Sequence, residues 1–340
     1  MSGGVDSSVT AALLKDQGYD VTGVYMKNWS QDLPGFECPW KEDYQDAKRV
    51  AVQLGIPFKM YDFETTYRHK VVDHMIKEYK AGRTPNPDVM CNQEIKFKLF
   101  LDTALAEGAD YIATGHYSRI KDGQLYTGLD GSKDQSYFLY RVTEDALRHS
   151  FMPIGEYAKT EVRTLAKKLG LSTADKKDSQ GICFVGKVGI KEFLQQYVTG
   201  EDGPIIDQHG KVIGEHDGAI FYTIGQRHGL QVGGGLPYYV VGKNMDKNEI
   251  FVTTDLQDDN LWHKELKLSD VHWINNAPGE DTKLTARLRY RAPLVTVKDL
   301  IRDENSTWRL ILNDDVRAVT PGQSAVIYDQ DKVLGGGIVV

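Results

Sequence analysis

The stretch that decides the fold is Ser2-Gly3-Gly4-Val5-Asp6-Ser7-Ser8, which opens this chain of 340 residues. Two adjacent glycines let backbone N–H groups approach a phosphate closely, and the serines add hydroxyl donors. The helix predicted to follow presents its positive N-terminus to the anion. Asp6 is suited to hold Mg²⁺ against the phosphates. We name residues 2–8 the phosphate loop, and they predict a nucleotide site at the start of the chain.

The phosphate loop lacks the Gly-Lys-Ser/Thr ending of a Walker A loop. Its Ser-Gly-Gly-x-Asp-Ser pattern resembles the PP-loop of ATP-pyrophosphatases, enzymes that split ATP into AMP and pyrophosphate. A glycine and serine turn that only caps a helix is the simpler alternative. A PP-loop normally follows a buried strand of about five residues, whereas only Met1 precedes this loop. We therefore expect the native loop to follow a strand that lies upstream of Met1.

The first half of the chain alternates strand-like and helical patterns, which is typical of βαβ units around a parallel sheet. The short strand predicted at residues 111–114 ends at Gly115-His116, a typical ligand position at the carboxyl edge of such a sheet. Residues 117–142 predict a hairpin that turns at residues 121–124. The helices are predicted at residues 5–17, 43–54, 67–80, 94–107 and 159–169, and the other strands at 20–25 and 58–62.

Glycine-rich turns separate short β-type runs after about residue 188. Strands are predicted at residues 283–290, 295–301, 308–312 and 324–328, so the last part of the chain is expected to be a small barrel or sandwich. This change of pattern predicts three domains: a catalytic domain over residues 1–188, a central domain over 189–263 and a β-barrel over 264–340.

Composition is that of an ordinary globular protein, with 41% hydrophobic and 26% charged residues. No apolar run approaches the roughly 20 residues that a membrane helix needs, so a cytoplasmic protein is expected. The net charge of −7 does not indicate nucleic acid. Residues 283–302 nevertheless form a basic stretch, for which a solvated strand face is the simpler interpretation. Its charged residues are Lys283, Arg287, Arg289, Arg291, Lys298 and Arg302, against Asp299 alone.

Three cysteines, Cys38, Cys91 and Cys183, argue against a disulfide scaffold because they are few and odd in number. No C-x-x-C pair is present, so the sequence does not support a zinc or iron–sulfur site built on cysteines. Cys91 is predicted just before the helix at residues 94–107, where the helix dipole would favour its thiolate. Asp88 stands three residues away as a general acid or base. Taken alone, Cys91 and Cys183 are equally consistent with packed structural cysteines.

Taken together, these motifs resemble the bacterial tRNA-specific 2-thiouridylases, over residues 1 to about 338. The resemblance rests on the phosphate loop, on Asn-Pro-Asp-x-x-Cys-Asn at residues 86–92 and on Ser-Gln-Gly-Ile-Cys-Phe at 179–184. Five further motifs agree: Thr-Gly-His-Tyr at 114–117, Lys-Asp-Gln-Ser-Tyr-Phe-Leu at 133–139, Tyr-Thr-Ile-Gly-Gln-Arg at 222–227, Arg-Tyr-Arg at 289–291 and Pro-Gly-Gln at 321–323.

The resemblance implies an α/β fold whose N-terminal parallel-sheet ATP-pyrophosphatase domain, of the adenine nucleotide alpha hydrolase type, precedes a small central domain and a C-terminal β-barrel. It implies a monomer that uses ATP and Mg²⁺. The implied partners are the anticodon arm of tRNA, for lysine, glutamate and glutamine, and a protein that donates sulfur, such as a cysteine desulfurase or a relay protein.

The resemblance also assigns residues to the site, and it leaves Cys38 without a role. The implied nucleotide-binding residues are Ser2, Gly3, Gly4, Val5, Asp6, Ser7, Met26 and Gly115, with Asp6 as the metal ligand. The implied tRNA-binding residues are Asn86, Pro87 and Asp88 at the target uridine, together with His116, Lys133, Asp134, Gln135, Arg289, Tyr290 and Gln323. The implied catalytic residues are Cys91, Cys183 and Asp88.

The implied chemistry begins with ATP, which adenylates the C2 oxygen of the wobble uridine and so makes it a leaving group. A persulfide on Cys183 then supplies sulfur by one of two routes. The persulfide attacks C2 directly, or Cys91 first releases hydrosulfide that attacks C2. Both routes end in a transient disulfide between Cys91 and Cys183, as expected of a catalytic disulfide in a reducing compartment.

Two other functions compete with thiolation. Amide-forming synthetases of the argininosuccinate or GMP type share the ATP loop but need no thiols. An inert tRNA-binding chain is expected if the strand upstream of Met1 is essential. Such a chain would bind tRNA with a strong dependence on salt but would release no pyrophosphate.

Overall fold

Two short parallel strand pairs lie in the N-terminal half of the computed structural model, which describes residues 1–35, 37–177, 188–230, 232–233, 235–279 and 281–340. The first pair joins β1 (Gly23–Lys27) to β2 (Phe58–Asp62), and the second joins β3 (Ile112–Ala113) to β6 (Ser150–Phe151). Helices pack around both pairs, so this half has the predicted α/β architecture.

Helices surround the parallel strands, and two of them include π-helical stretches, at Arg68–Val72 and Cys91–Phe100. The α-helices are α1 (Val5–Asp16), α2 (Trp40–Leu54), α3 (Glu64–Tyr67), α4 (Asp73–Lys80), α5 (Pro87–Met90), α6 (Leu101–Ala106), α7 (Glu144–Arg148), α8 (Lys159–Lys168) and α9 (Ile190–Leu194). Short 3₁₀ turns lie at Ser136–Leu139, Pro153–Glu156, Ala219–Phe221, Asp259–Leu261 and Glu304–Ser306.

Helix α1 is fixed by a small apolar core of its own. Its buried Val5 and Val9 pack with Val50 of α2 and with Val162 and Ala166 of α8. Spacings of three or four residues place such side chains on one face of each helix. This core therefore holds the phosphate loop, which leads directly into α1, against α2 and α8.

The central part of the chain contributes a four-stranded sheet in the order β8-β7-β10-β9. Its strands are β7 (Gly203–Ile206), β8 (Val212–His216), β9 (Tyr239–Asn244) and β10 (Glu249–Thr253). Buried residues of this sheet, including Ile205, Val240 and Ile250, belong to the same hydrophobic cluster as the N-terminal helices. The central domain is thus packed firmly on the N-terminal half.

The C-terminal part is a six-stranded barrel, closed where its first strand pairs with its last. Its strands are β11 (Trp262–Trp273), β12 (Leu284–Arg287), β13 (Val295–Arg302), β14 (Trp308–Arg317), β15 (Ser324–Asp329) and β16 (Lys332–Val339). Its interior is a separate apolar cluster that includes Leu268, Leu310 and Ile327.

A hairpin from the N-terminal half extends the barrel sheet. Strands β4 (Ser118–Lys121) and β5 (Gln124–Thr127) turn through Asp122 and Gly123, whose φ values of 51° and 71° suit a two-residue hairpin turn. Strand β5 pairs with β16, with Tyr126 opposite Lys332. The sheet is therefore continuous between two parts of the chain that the sequence assigns to different domains.

The predicted α/β fold class with a C-terminal barrel is confirmed. One local prediction is wrong, because Cys91 does not precede a helix. Asn86 and Pro87 begin the helix earlier: Asn86 is the N-cap and Pro87 the first helical residue, and the helix runs through Cys91 without a break. None of the helices in the described residues is long and apolar enough to span a membrane.

Candidate active site

The phosphate loop forms an anion cradle at the N-terminus of α1. Gly4, at the N-cap, is extended, with φ −96° and ψ 167°, and no side chain caps the helix there. The first N–H groups of a helix have no partner within it, so they remain available to a ligand. Gly3 adopts φ 74°, and a Cβ on it would overlap the carbonyl oxygen of Asp43. Only glycine fits at this position, which supports a loop shaped by its backbone.

Gly115, which follows the carboxyl end of β3, packs against the backbone of the phosphate loop. A Cβ built on Gly115 would lie 2.8 Å from the backbone nitrogen of Ser7 and 2.9 Å from the carbonyl carbon of Asp6. The loop and the end of β3 are thus in direct backbone contact. Among the other nucleotide candidates, Met26 lies in β1 and is half-buried against the main hydrophobic core.

Asp6 accepts hydrogen bonds from two side chains for which the sequence predicts no role at this site. Lys159 Nζ donates to both carboxylate oxygens, at 2.7 and 2.8 Å, and the Tyr117 hydroxyl donates to Oδ1 at 2.8 Å. The Lys159 side chain is only 10% exposed and lies over the ring of Tyr117. Its position as the first residue of α8 carried no signal, because a lysine there predicts only a solvated helix end.

The residues at the phosphate loop fit a magnesium ion that arrives with its nucleotide. Groups of three or more acidic, histidine or cysteine side chains suited to a metal are absent from the described residues. Asp6 alone supplies a carboxylate, and Mg²⁺ commonly binds through one or two carboxylates together with substrate phosphates. Such an ion would have to displace Lys159 from Asp6.

The second group of candidate residues lies along α5. The side chain of Asn86 accepts a hydrogen bond from the Asp88 backbone nitrogen at 3.1 Å and so caps the helix. Asn86, Pro87 and Asp88 are all partly exposed, as contact with a nucleobase requires. Cys91 follows one turn later and is 0% exposed. The predicted uridine contacts are therefore partly exposed, whereas the predicted nucleophile, one turn later on the same helix, is buried.

Cys183 lies outside the described residues, as does the rest of its motif, so its pairing with Cys91 remains a prediction. The flanking chain is described on both sides. Lys176 Nζ donates to Asp43 and Asp46 of α2, at 2.7 and 2.6 Å. Burial works against the charge of Lys176, but these two carboxylates raise its pKa. Since Asp43 also contacts Gly3, the chain before residue 178 is anchored beside the phosphate loop.

Two of the predicted tRNA contacts are buried. Asp134 is 4% exposed and is a hub: Oδ1 accepts from the backbone nitrogens of Gly128 and Ser136, and Oδ2 accepts from Arg287 of the barrel at 2.9 Å. His116 is 6% exposed. Burial lowers the pKa of His116 well below its ordinary value, and the neighbouring Lys96 lowers it further. In this structure both residues support the fold, and RNA contact by them stays a prediction.

Other predicted tRNA contacts do line open cavities. A cavity of about 510 Å³ lies between the loop at residues 131–134 and the barrel, and Lys133, Tyr290 and the pocket-facing part of Asp134 line it. Arg287 and Arg291 line the same cavity, so it is basic on the barrel side. Gln135 accepts from the Tyr117 backbone nitrogen at 3.0 Å and so connects this loop to the residue that holds Asp6.

A smaller cavity of about 300 Å³ lies where all three parts of the chain meet. Arg289 and Gln323 line it from the barrel, Thr84 from the N-terminal half and residues 223–226 from the central domain. The basic stretch at residues 283–302 is therefore divided between structural and open positions. Arg287 is paired with Asp134, whereas Arg289 and Arg291 are exposed.

Three family models match the chain in succession. They are the tRNA methyl transferase HUP domain over residues 1–187, the tRNA methyl transferase PRC-barrel domain over residues 191–254 and the aminomethyltransferase beta-barrel domain over residues 263–339.

Curated relatives match over the full length of the chain. The tRNA-specific 2-thiouridylase MnmA of Listeria monocytogenes serovar 1/2a is 49% identical over 345 aligned residues, which cover 100% of this chain and 93% of the relative. The tRNA-specific 2-thiouridylase MnmA of Bacillus thuringiensis strain Al Hakam is 48% identical with the same coverage. Among solved structures, the NMN synthetase of Francisella tularensis covers 52% of this chain and 63% of its own, at 17% identity and a TM-score of 0.34, too low to support an inference.

Proposed function

This chain belongs to the tRNA-specific 2-thiouridylase family, and from that premise we propose how it converts a tRNA uridine to 2-thiouridine. It is a tRNA sulfurtransferase. The observation that supports the mechanism is the presence of an anion cradle at α1 together with a buried cysteine one helical turn after a partly exposed Asn-Pro-Asp segment. The first feature suits ATP, and the second suits thiol chemistry on a base held at the surface.

The first step proposed is activation of the uridine by ATP. Residues 2–7 bind the phosphates through backbone N–H groups, and the adenosine lies between Met26 and Gly115. Asp6 would hold Mg²⁺ carried on the phosphates, where a bound ion neutralises their charge. The C2 oxygen of the wobble uridine attacks the α-phosphorus, and pyrophosphate leaves. The C2 oxygen thereby becomes part of an AMP leaving group.

The second step proposed is sulfur transfer between two cysteines. Cys183 carries a persulfide loaded by a donor protein, and Asp88 moves the proton at the reacting base. In one route the terminal persulfide sulfur attacks C2 and AMP leaves. Cys91 thiolate then attacks the Cys183 sulfur and frees the thiolated base. In the other route Cys91 attacks first and releases hydrosulfide, which displaces AMP.

Burial of Cys91 bears on both routes. Its side chain has no exposed surface, so a donor persulfide has to be brought to it by movement of the chain. We further propose that the substrates are the tRNAs for lysine, glutamate and glutamine, bound by a cytoplasmic monomer.

The experiment that tests this function is thiolation of an unmodified glutamate tRNA. The protein is incubated with ATP, Mg²⁺ and a persulfide donor, a cysteine desulfurase with free cysteine, and the RNA is separated in a gel that contains mercury, which retards thiolated RNA. We expect a retarded band that requires ATP, disappears in Cys91→Ser and persists in Cys38→Ala. A product that instead requires S-adenosylmethionine would support methyl transfer, which the names of two family models mention.

Two alternatives are distinguished in the same assay. A band that does not require Cys91 would contradict the mechanism, and an amide-forming synthetase would give no band at all. The inert tRNA-binding chain is not favoured by the relatives, which match this chain along its whole length. It would bind the tRNA without forming pyrophosphate.

A further inference from the structure

Thr84, in the N-terminal half, forms hydrogen bonds with both the barrel and the central domain. Its backbone nitrogen donates to the carbonyl oxygen of Pro321 at 2.8 Å, and its own carbonyl accepts from Gln323 Nε2 at 2.7 Å. Its hydroxyl lies 3.2 Å from the hydroxyl of Thr223 in the central domain. Both backbone groups of a residue in the N-terminal half are therefore satisfied by one turn of the barrel.

We name residues 321–323 the barrel turn, and it fits against Thr84 because its middle residue, Gly322, is a glycine. Gly322 adopts φ 91°, and a Cβ built on it would lie 2.8 Å from the Thr84 nitrogen and 3.0 Å from Arg83 Cβ. Any other residue would have to push the segment at Thr84 away. Arg83 is itself fixed, since it donates two hydrogen bonds to Glu78 at 2.6 and 2.7 Å. The contact is thus close and has little room to adjust.

The chain that leaves Thr84 is stiff. Residues 84–87 read Thr-Pro-Asn-Pro. Each proline fixes its own φ and restricts the residue before it to extended conformations. Pro85 is buried, and Asn86 is extended, with φ −111° and ψ 100°. We name residues 84–87 the proline strut, because it can transmit the position of Thr84 with little bending.

The proline strut leads into the helix that carries Asp88 and Cys91. Asn86 caps that helix through the Asp88 nitrogen, Pro87 is its first residue, and the helix continues without a break into the π-helical stretch that begins at Cys91. A displacement of Thr84 is therefore a displacement of Asp88 and Cys91 as well.

We propose that Thr84, Gly322 and Gln323 are positioning residues, through which the barrel turn sets the place of Asp88 and Cys91 by way of the proline strut. The catalytic meaning of this arrangement rests on the proposed function. The mechanical connection itself does not rest on that function, because it predicts how well Cys91 is protected from alkylation even in the absence of RNA. Gln323, expected from the sequence to contact tRNA, is here already bound to Thr84.

The test is alkylation of Cys91 in the RNA-free protein, followed by peptide mass spectrometry. Gly322→Ala should raise the rate of Cys91 alkylation by about fivefold or more over the unsubstituted protein. Cys38, which is buried in the same molecule at 7% exposure, should react at its unchanged rate. Gly210→Ala is the matched control, since Gly210 also has a positive φ, 79°, but its Cβ would meet nothing within 4 Å.

A gentler variant guards against misfolding. Gln323→Leu removes only the hydrogen bond to the Thr84 carbonyl, and we expect a smaller rise in Cys91 alkylation, of about twofold. Equal Cys91 rates in Gly322→Ala, Gln323→Leu and the unsubstituted protein would overturn the proposal. A parallel rise at Cys38 would do the same, since it would indicate general loosening.

Turnover then tests the catalytic meaning. At saturating tRNA, Gly322→Ala should lower kcat for thiolation by about tenfold and leave the tRNA dissociation constant within about threefold. A change in tRNA binding alone, with kcat unchanged, would contradict a positioning role. If the unsubstituted protein thiolates no RNA, the proposed function fails, and the alkylation rates still decide the mechanical connection.

Discussion

Lys159 Nζ contacts both carboxylate oxygens of Asp6, at 2.7 and 2.8 Å, although 153 positions separate the two residues. Asp6 lies in the phosphate loop, where we propose that ATP binds, and an uncompensated carboxylate there would repel the phosphates. The Lys159 ammonium compensates that charge and ties α8 to the phosphate loop. We therefore expect the pair to contribute both to stability and to anion binding, and it is the first target for mutation.

In the absence of Mg²⁺, which would displace Lys159 from Asp6, Lys159→Met should weaken ATP binding by about tenfold, or about 1.4 kcal/mol, measured by isothermal titration calorimetry. It should also lower the melting temperature, because it leaves a partly buried carboxylate without its charged partner. Lys167→Met is the control on the same helix, since Lys167 pairs with Asp175 at an exposed site. Equal ATP affinity in the two variants would show that Lys159 is not needed for the nucleotide.

Gly115→Ala should reduce ATP affinity at least tenfold, because the new Cβ would lie 2.8 Å from the Ser7 nitrogen and would displace the phosphate loop. The control is Gly131→Ala, where a Cβ meets nothing within 4 Å. Nucleotide binding is measured for both by calorimetry. Full ATP affinity in Gly115→Ala would mean that the contact between β3 and the loop does not shape the site.

Arg287→Met should destabilise the protein by about 2–4 kcal/mol, since it leaves Asp134 charged and buried with its ion-pair partner removed. Arg309→Met is the control on the same barrel, because Arg309 is 41% exposed and pairs with Asp303 at the surface. We expect a much smaller loss there, because solvent screens an exposed ion pair. Urea unfolding followed by fluorescence compares the two. Similar midpoints would contradict a structural role for the pair between Arg287 and Asp134.

Lys243 predicts an unusual dependence of stability on pH. Burial lowers its pKa to about 8, and its ammonium donates to the Tyr222 carbonyl at 2.8 Å. Between pH 8 and the unfolded pKa of about 10.4, the unfolded chain holds the proton and the folded chain does not. The unfolding free energy of the protein therefore rises with pH across this window. Below pH 8 the folded protein bears the full cost of burying the charged Lys243 ammonium.

Lys243→Met removes that cost, so it should stabilise the protein at pH 7 by up to about 3 kcal/mol, less the lost hydrogen bond. The gain should shrink as pH rises from 8 to about 10.4. Melting temperatures at pH 7 and pH 9.5 give the comparison, with the exposed Lys247→Met as control. A gain of equal size at both pH values would rule out titration of Lys243 as its cause.

Cys183→Ser should abolish thiolation while tRNA-dependent pyrophosphate release continues, because activation of the uridine needs no thiol in the proposed mechanism. Both products are measured in one reaction, by the mercury gel and by a coupled pyrophosphate assay. Loss of pyrophosphate release together with thiolation would show that Cys183 is also needed for activation. Unchanged thiolation would remove it from the mechanism.

Local patterns predicted the elements well where a single residue type fixes the backbone. The phosphate loop followed from its glycines, and the hairpin at residues 118–127 followed from Asp122 and Gly123. Helix α1 and strand β2 have nearly the bounds expected. Strands β12 to β15 lie close to the four runs predicted for the barrel, whereas β11 and β16, the two strands that close it, were not predicted.

Contacts between distant parts of the chain were not predictable from such patterns. Lys159 and Tyr117 carry no motif that indicates Asp6, and Thr84 carries none that indicates Gln323. Asp134 and His116 were expected at an RNA surface, yet tertiary packing buries both. The early start of the helix through Cys91 was not predicted, although Asn86 as N-cap and Pro87 at the first helical position are typical of a helix start.

The hairpin that joins the barrel sheet also dictates when the molecule can be finished during synthesis. Strand β5 pairs with β16, so residues 124–127 have to wait for Lys332 and Val333, which are synthesised much later. Until then the edge of β5 offers unpaired backbone groups, which are a template for aggregation. The nascent N-terminal half is thus expected to need protection by a chaperone until β16 has been synthesised.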